Sequence, residues 1–284
     1  MKKKIKAHLW LALLALALSL SAITFATAKI LSHKTADTKP VASQNPSNIP
    51  PSNRNAYVRR AQLSPRLAMN LNALGNRLEK PGQERLALAG TWRVAGTAQP
   101  REFAATLEFP DKLRLSVGGP QNRVITFDGQ QTNAAQIPAA DELDLIETLA
   151  CDSAEHFFAA QMQGNAMRFV GARFRTDDGS TPDYNGPYFD IYKIADQVKA
   201  SGEERSAKLY YFNSDTLLLE RVTYVINRGG TEINVETKLS DWRVVDGQQV
   251  ARRIERFENG KSVFALTISS AELDRRADDG IFAQ

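Results

Sequence analysis

The stretch Trp242–Phe257, WRVVDGQQVARRIERF, decides how the rest of the chain is read. Two runs of apolar and basic residues flank Asp246-Gly247. Asp-Gly supplies the positive φ angles of a tight hairpin turn, so the stretch reads as two antiparallel strands. Neither strand has a clean polar face. A sheet with one face in water alternates more regularly. Arg252, Arg253 and Arg256 are expected to reach the rim along their alkyl stems while Val250, Ile254 and Phe257 pack.

The same grammar of short runs and turns extends in both directions. RSAKLYYFN, LLLERVTYVIN and TEINVETKLSDWRVV precede the hairpin, and KSVFALTISSAEL follows it. The turns between them are Asn213-Ser214-Asp215, Gly229-Gly230 and Asn259-Gly260. By the period of two, Leu218, Val222, Tyr224 and Ile226 share one face of their strand, and Leu217, Leu219 and Val225 the other. Phe264, Leu266 and Ile268 likewise oppose Val263 and Ala265. Both faces are thus expected to need cover.

Further upstream, RLALAGTWRVAG, EFAATLEF, KLRLSVGG and RVITFDGQQT are separated by Pro110-Asp111, Gly118-Gly119-Pro120 and Asp128-Gly129. AMRFVGARFR and YFDIYKIADQV add two more runs. Such spacing means hairpins, because parallel crossovers need a dozen or more residues. The chain therefore predicts roughly ten or eleven strands.

Helices are expected in two places. Ser64 and Pro65 form an N-terminal cap and first turn, with Leu67, Leu71, Leu74 and Leu78 as one apolar stripe and Pro81-Gly82 as its stop. IPAADELDLIETLACDSAEHFFAAQMQG opens on Pro138 with an acidic first turn. Asp152 with Glu155 reads as the cap of a second helix there, and Gly164 as its end. Leu143, Ile146, Leu149, Ala150, Phe157 and Phe158 provide apolar faces. The fold class expected is α+β: a large curved antiparallel sheet, a half-barrel, lidded by helices.

The N-terminus is an address. MKKKIK is a positive n-region, LWLALLALALSL a short apolar run, and Ala26-Thr27-Ala28 a cleavage pattern. Residues 1–28 are read as a bacterial signal peptide, with cleavage after Ala28. The alternative is an uncleaved inner-membrane anchor, since residues 9–28 approach the ~20 needed to span a bilayer. Either reading places the bulk of the chain in the periplasm. Residues 29–60, rich in Pro, Ser, Asn and Thr, are read as a disordered linker. Residues 61–284 are read as the folded domain.

Little in that domain points to catalysis. The chain has 3 His and 1 Cys; beyond the signal peptide only His33 and His156 remain, too few for a His-based triad or multi-His metal site. His156 is expected on a helix surface, and Cys151 as a small buried residue. Asp177–Asp183, DDGSTPD, lacks the ligand pattern of a calcium loop. No nucleophile elbow or phosphate-cradling glycine loop occurs. A net charge of +4, partly from the N-terminal lysines, argues against nucleic-acid binding. No enzyme activity, metal or cofactor is expected.

The run KLYYFNSDTLLLERVTYVINRGGTEINVETKLSDWRVVDGQQVARRIERF, with the closing Asp278-Asp279-Gly280-Ile281-Phe282, resembles the LolA-like, outer-membrane lipoprotein-sorting family of periplasmic proteins. The features shared are the turn through Asp215 into a leucine-rich strand, the VET-LSDWR-VDG hairpin and that closing run. DELDLIETLACDSAEHFF looks like the family's helical insertion. The resemblance covers Leu86 to Gln284. It implies a half-barrel holding lipoprotein acyl chains or lipid in an apolar cavity, in the manner of a carrier or chaperone of outer-membrane biogenesis. The sequence lacks the lipidated Cys of an anchored acceptor. Residues expected to line such a cavity are Trp92, Leu107, Leu115, Phe127, Phe169, Phe174, Ile233, Val235, Leu239 and Ile254. A tethered sensor or scaffold of the same fold, binding a membrane surface or a membrane-protein partner, is the alternative. Carboxylate-based hydrolysis is the third reading.

Overall fold

A computed structural model describes residues 63–75, 85–109, 112–118, 123–129, 131–162, 167–174, 188–195, 204–274 and 282. All belong to the unit Pro51–Gln284. The expected export segment and linker, Leu78, Pro81-Gly82, Gly164 and Asp177–Asp183 lie outside the described residues.

One antiparallel sheet dominates. Its strands are β1 Arg85–Val94, β2 Arg101–Glu108, β3 Lys112–Val117, β4 Arg123–Phe127, β5 Thr132–Ala134, β6 Met167–Phe174, β7 Tyr188–Ile194, β8 Glu204–Arg205, β9 Lys208–Asn213, β10 Leu219–Arg228, β11 Thr231–Val245, β12 Gln248–Glu258 and β13 Lys261–Asp274. Their spatial order is β5-β4-β3-β2-β1-β13-β12-β11-β10-β9-β7-β6, with β8 off this path beside β10. The last long strand closes onto the first: Trp92 of β1 lies opposite Leu266 of β13. The sheet stays open, ending at β5 and β6. It is the curved, helix-lidded sheet expected, with short β5 and β8 added to the strands read from sequence.

Hairpin turns follow their residues. Asp246-Gly247 has φ 49 and 80, Asn259-Gly260 φ 48 and 75, and Gly229-Gly230 φ 60 and 83. Two successive positive φ values match the right-handed twist of the flanking strands.

Helix α1, Pro65–Ala73, starts as predicted, with the Leu67 amide donating to Ser64 Oγ at 3.4 Å. It stops at Leu74, and its end docks on the β11–β12 turn, where the Gln249 amide donates to the Leu74 carbonyl at 3.2 Å. Gly75 there has φ +88, and a Cβ would stand 2.5 Å from the Gly247 carbonyl oxygen, so only glycine fits. Helices α2, Ala140–Ile146, and α3, Ala154–Met162, are joined by a π-helical turn, Glu147–Cys151. The Asp152 amide reaches the Glu147 carbonyl five residues back, at 3.0 Å.

The helices cover one face. In an antiparallel sheet, directly paired residues share a face. Leu88, Ala105, Leu115 and Ile125 therefore line up across β1 to β4, and Trp92, Leu266, Ile254 and Leu239 across β1, β13, β12 and β11. All eight are buried. The opposite face of β10 and β13 is less covered than expected, with Val225, Val263 and Ala265 only half-buried. A register shift between Leu219 and Arg221 moves Leu219 onto the covered face opposite Phe212, where it is fully buried. Bulges break strict period-two reading in this way. On β7 both faces hold buried apolar residues, Phe189 and Ile191 on one and Tyr192 and Ile194 on the other, and on β12 the adjacent Val250 and Ala251 are both buried.

Candidate functional site

The covered face gathers most of the residues expected to line a cavity. Trp92, Leu107, Leu115, Phe127, Val235, Leu239 and Ile254 are buried on it, and Ile233 is half-buried against the same core. Leu107 lies opposite Leu113, which lies opposite Phe127; Val235 lies opposite Tyr224 and Ile233 opposite Ile226. Phe169 lies opposite Tyr192 at the open edge and is 55% exposed. Phe174 ends β6 opposite Tyr188. The result is one apolar wall with α1, α2 and α3 laid against it.

An aromatic cluster fastens α3 to the wall. The Phe157 ring lies 4.9 Å from Phe212, 5.0 Å from Tyr210 and 5.6 Å from Tyr192, and Tyr192 lies 5.3 Å from Phe169. A ring path thus runs from under the helix to the sheet edge. Such pairs are each worth about 0.5–1.5 kcal/mol beyond the area they bury.

Beside it lies a feature the sequence reading missed: a buried charge network joining cover to sheet. Lys208 Nζ donates to Asp152 Oδ1 at 2.5 Å, Glu147 Oε1 at 2.9 Å and the Cys151 carbonyl at 3.0 Å. Arg205 pairs with Glu147 as well. Asp152 Oδ2 accepts from Thr237 Oγ1 at 2.7 Å and from the Tyr224 hydroxyl at 3.2 Å. That hydroxyl accepts in turn from Arg256 at 3.0 Å, and Arg256 also pairs with Asp144 at 3.1 Å. Arg228 bridges Asp144 and Glu258. Toward the other end of the cover, Arg101 pairs with Asp141, and Arg123 with Glu142.

Three sequence readings are corrected here. Arg256 is not a rim arginine: it is 1% exposed and anchors Asp144. Asp152 does not cap α3. Ser153 does, its Oγ accepting from the His156 amide at 3.1 Å, which frees the Asp152 carboxylate for Lys208. His156, expected on the helix surface, is buried, because α3 lies flat on the wall. Cys151 is buried as expected.

A signal for the network was present. Between Arg123 and Arg168 the chain carries no Lys or Arg, while Asp141, Glu142, Asp144, Glu147, Asp152 and Glu155 fall within the helical block. An acidic cover requires basic partners on the sheet. Burial pulls the Lys208 ammonium down, but Asp152 and Glu147 overcome it and leave its pKa raised. Burial, then Asp152, hold the Tyr224 phenol well above its ordinary value. Burial and Glu147 do the same to the Cys151 thiol. The lysine is therefore charged and the phenol and thiol neutral at neutral pH. That is the chemistry of a clasp. Among the described residues no three His, Cys, Asp or Glu side chains gather as a metal site requires.

No family model matches the chain, and no curated protein matches it. Among solved structures, it is similar to a LolA superfamily protein from Nitrosomonas europaea, with 10% identity, a TM-score of 0.48, and 76% of this chain and 96% of that one covered. It is also similar to an outer membrane lipoprotein-sorting protein domain from Vibrio parahaemolyticus, with 8% identity, a TM-score of 0.47, and 77% and 94% covered. A DUF1329 family protein from Desulfovibrio piger aligns with 13% identity, a TM-score of 0.48, and 78% and 98% covered.

Proposed function

We propose that the protein is a non-catalytic periplasmic binder that holds an apolar ligand, lipoprotein acyl chains or lipid, against the covered face of its sheet. One observation carries this reading: a continuous apolar wall spanning the open sheet from β4 to β10, roofed by short helices rather than by a second sheet. The likeness of the VET-LSDWR-VDG hairpin to lipoprotein-sorting proteins points the same way. A chain entering beneath α2 and α3 exchanges helix contacts for acyl contacts, each buried CH₂ contributing about 0.8 kcal/mol. Trp92, Leu107, Leu115, Phe127, Ile233, Val235, Leu239 and Ile254 form the contact surface in this proposal, with Phe169 and Phe174 at its edge. The export segment delivers the domain to the compartment where such ligands travel.

The test is lipid extraction from protein purified out of a membrane-containing host, analysed by mass spectrometry, together with titration of a fluorescent fatty acid. Co-purifying lipid or saturable uptake is expected. Absence of both overturns the proposal.

A further inference from the structure

The outer edge of the sheet carries a second feature. Among the described residues strand β6 is the last strand in the order and pairs only with β7. Phe169, Val170 and Tyr188 on this pair are 55%, 38% and 45% exposed. They are half of the six large hydrophobic residues exposed among the described residues, the others being Met69, Ile137 and Val244. The register shift between Phe169 and Gly171, where φ is +140, turns Val170 outward at the bend.

The charges here are as unusual as the apolar groups. Arg168 lies directly opposite Lys193. Like charges at directly opposed positions destabilise a sheet. Both are exposed, as is Arg173 one strand-turn along the same edge. Among the described residues none of the three pairs with a carboxylate. Elsewhere on the sheet Arg221 pairs with Glu236, Arg253 with Glu255 and Arg243 with Asp241. A repulsive pair with no carboxylate partner among the described residues, beside exposed rings, has the composition of a surface that meets phosphate head groups with its cations and interfacial hydrocarbon with its rings.

We propose that the β6–β7 edge docks on an anionic phospholipid membrane, with Arg168, Arg173 and Lys193 at the phosphates and Phe169, Val170 and Tyr188 in the interfacial layer. The aromatic path from Phe169 through Tyr192 to Phe157 makes this edge the end of the apolar wall nearest the bilayer. Docking does not require the wall to hold a ligand, so the two proposals fail separately.

The test places an environment-sensitive fluorophore at Val170→Cys in the full chain. Cys151 is buried, so labelling of the folded protein is confined to the new thiol. Phosphatidylglycerol vesicles are expected to shift the emission to the blue and phosphatidylcholine vesicles to leave it unchanged, with the response weakening as salt rises. The triple change Arg168→Gln, Arg173→Gln, Lys193→Gln is expected to weaken vesicle affinity about a hundredfold. Arg168→Lys with Arg173→Lys, which keeps the charge, retains it. The same fluorophore at Val244→Cys, exposed elsewhere, is expected to stay silent; it controls for membrane binding by the N-terminal segment. An equal response to both lipids, an equal response at position 244, or one untouched by the triple change overturns the proposal. So does an emission shift that needs no vesicles and grows with protein concentration, which reports a second copy pairing on β6. Fatty-acid uptake in vesicle-free buffer reads the wall alone.

Discussion

At the scale of the residue, Lys208 is the point on which the cover turns. It sits on β9, a strand whose sequence KLYYFN reads as ordinary, and its side chain is 1% exposed. Breaking a buried ion pair from one side leaves an uncompensated charge and costs about 3–5 kcal/mol. Lys208→Met is therefore expected to lower the urea unfolding free energy by about that amount. Adding Asp152→Asn is expected to recover part of the loss, because the stranded carboxylate is then neutral. Equal stability of wild type and Lys208→Met would show that the network holds nothing. The sequence hid this role because a lysine at a strand start is normally solvated. Only the folding of an acidic block over β9 gives it two carboxylates.

At the scale of the element, the helical block is fastened by aromatic contact and by charge together. The network sets a pH signature. Cys151, Lys208 and Tyr224 all have raised values, and Tyr192 is pushed up to about 12, by burial first and by Asp190 second. A group whose pKa is raised on folding binds its proton more tightly in the native state. Its contribution is intact below the unfolded value and is lost as pH rises toward the folded one. Urea midpoints are thus expected to be level between about pH 7 and 8 and to fall from about pH 9 upward, as the unfolded thiol, phenols and lysine begin to deprotonate. Cys151→Ala is expected to flatten the earliest part of that fall. A midpoint independent of pH up to 11 would contradict the assignment. The helix starts were legible, Ser64 among them. The choice between Asp152 and Ser153 as cap was not, since both residues cap helices and the decision lay with Lys208.

At the scale of the whole molecule, β1 and β13 join the two halves of the sheet. Trp92, fully buried, packs edge-on to Phe264 at 6.2 Å across that seam. Gly90 on the same strand has the Thr267 carbonyl oxygen 2.1 Å from where a Cβ would stand, so the strands meet there too closely for any side chain. Trp92→Ala is expected to cost about 3–5 kcal/mol. Because the seam unites one cooperative sheet, circular dichroism and tyrosine absorbance are expected to report the same lowered midpoint. Separate transitions would mean that the halves fold independently.

The sequence by itself determined the antiparallel hairpins, the Asp-Gly, Asn-Gly and Gly-Gly turns, the helix begun at Ser64 and the apolar residues that became the wall. These follow from local backbone preference and from period, which a strand carries within itself. Tertiary structure alone decided which face the helices cover, where bulges reverse the period, and which charges are buried. Arg256 and Asp152 each changed role because their partners lie far away in the chain, while Leu219 changed side at an irregularity of the β9–β10 pairing. The Arg256–Asp144 contact spans 112 positions, and no local pattern encodes it.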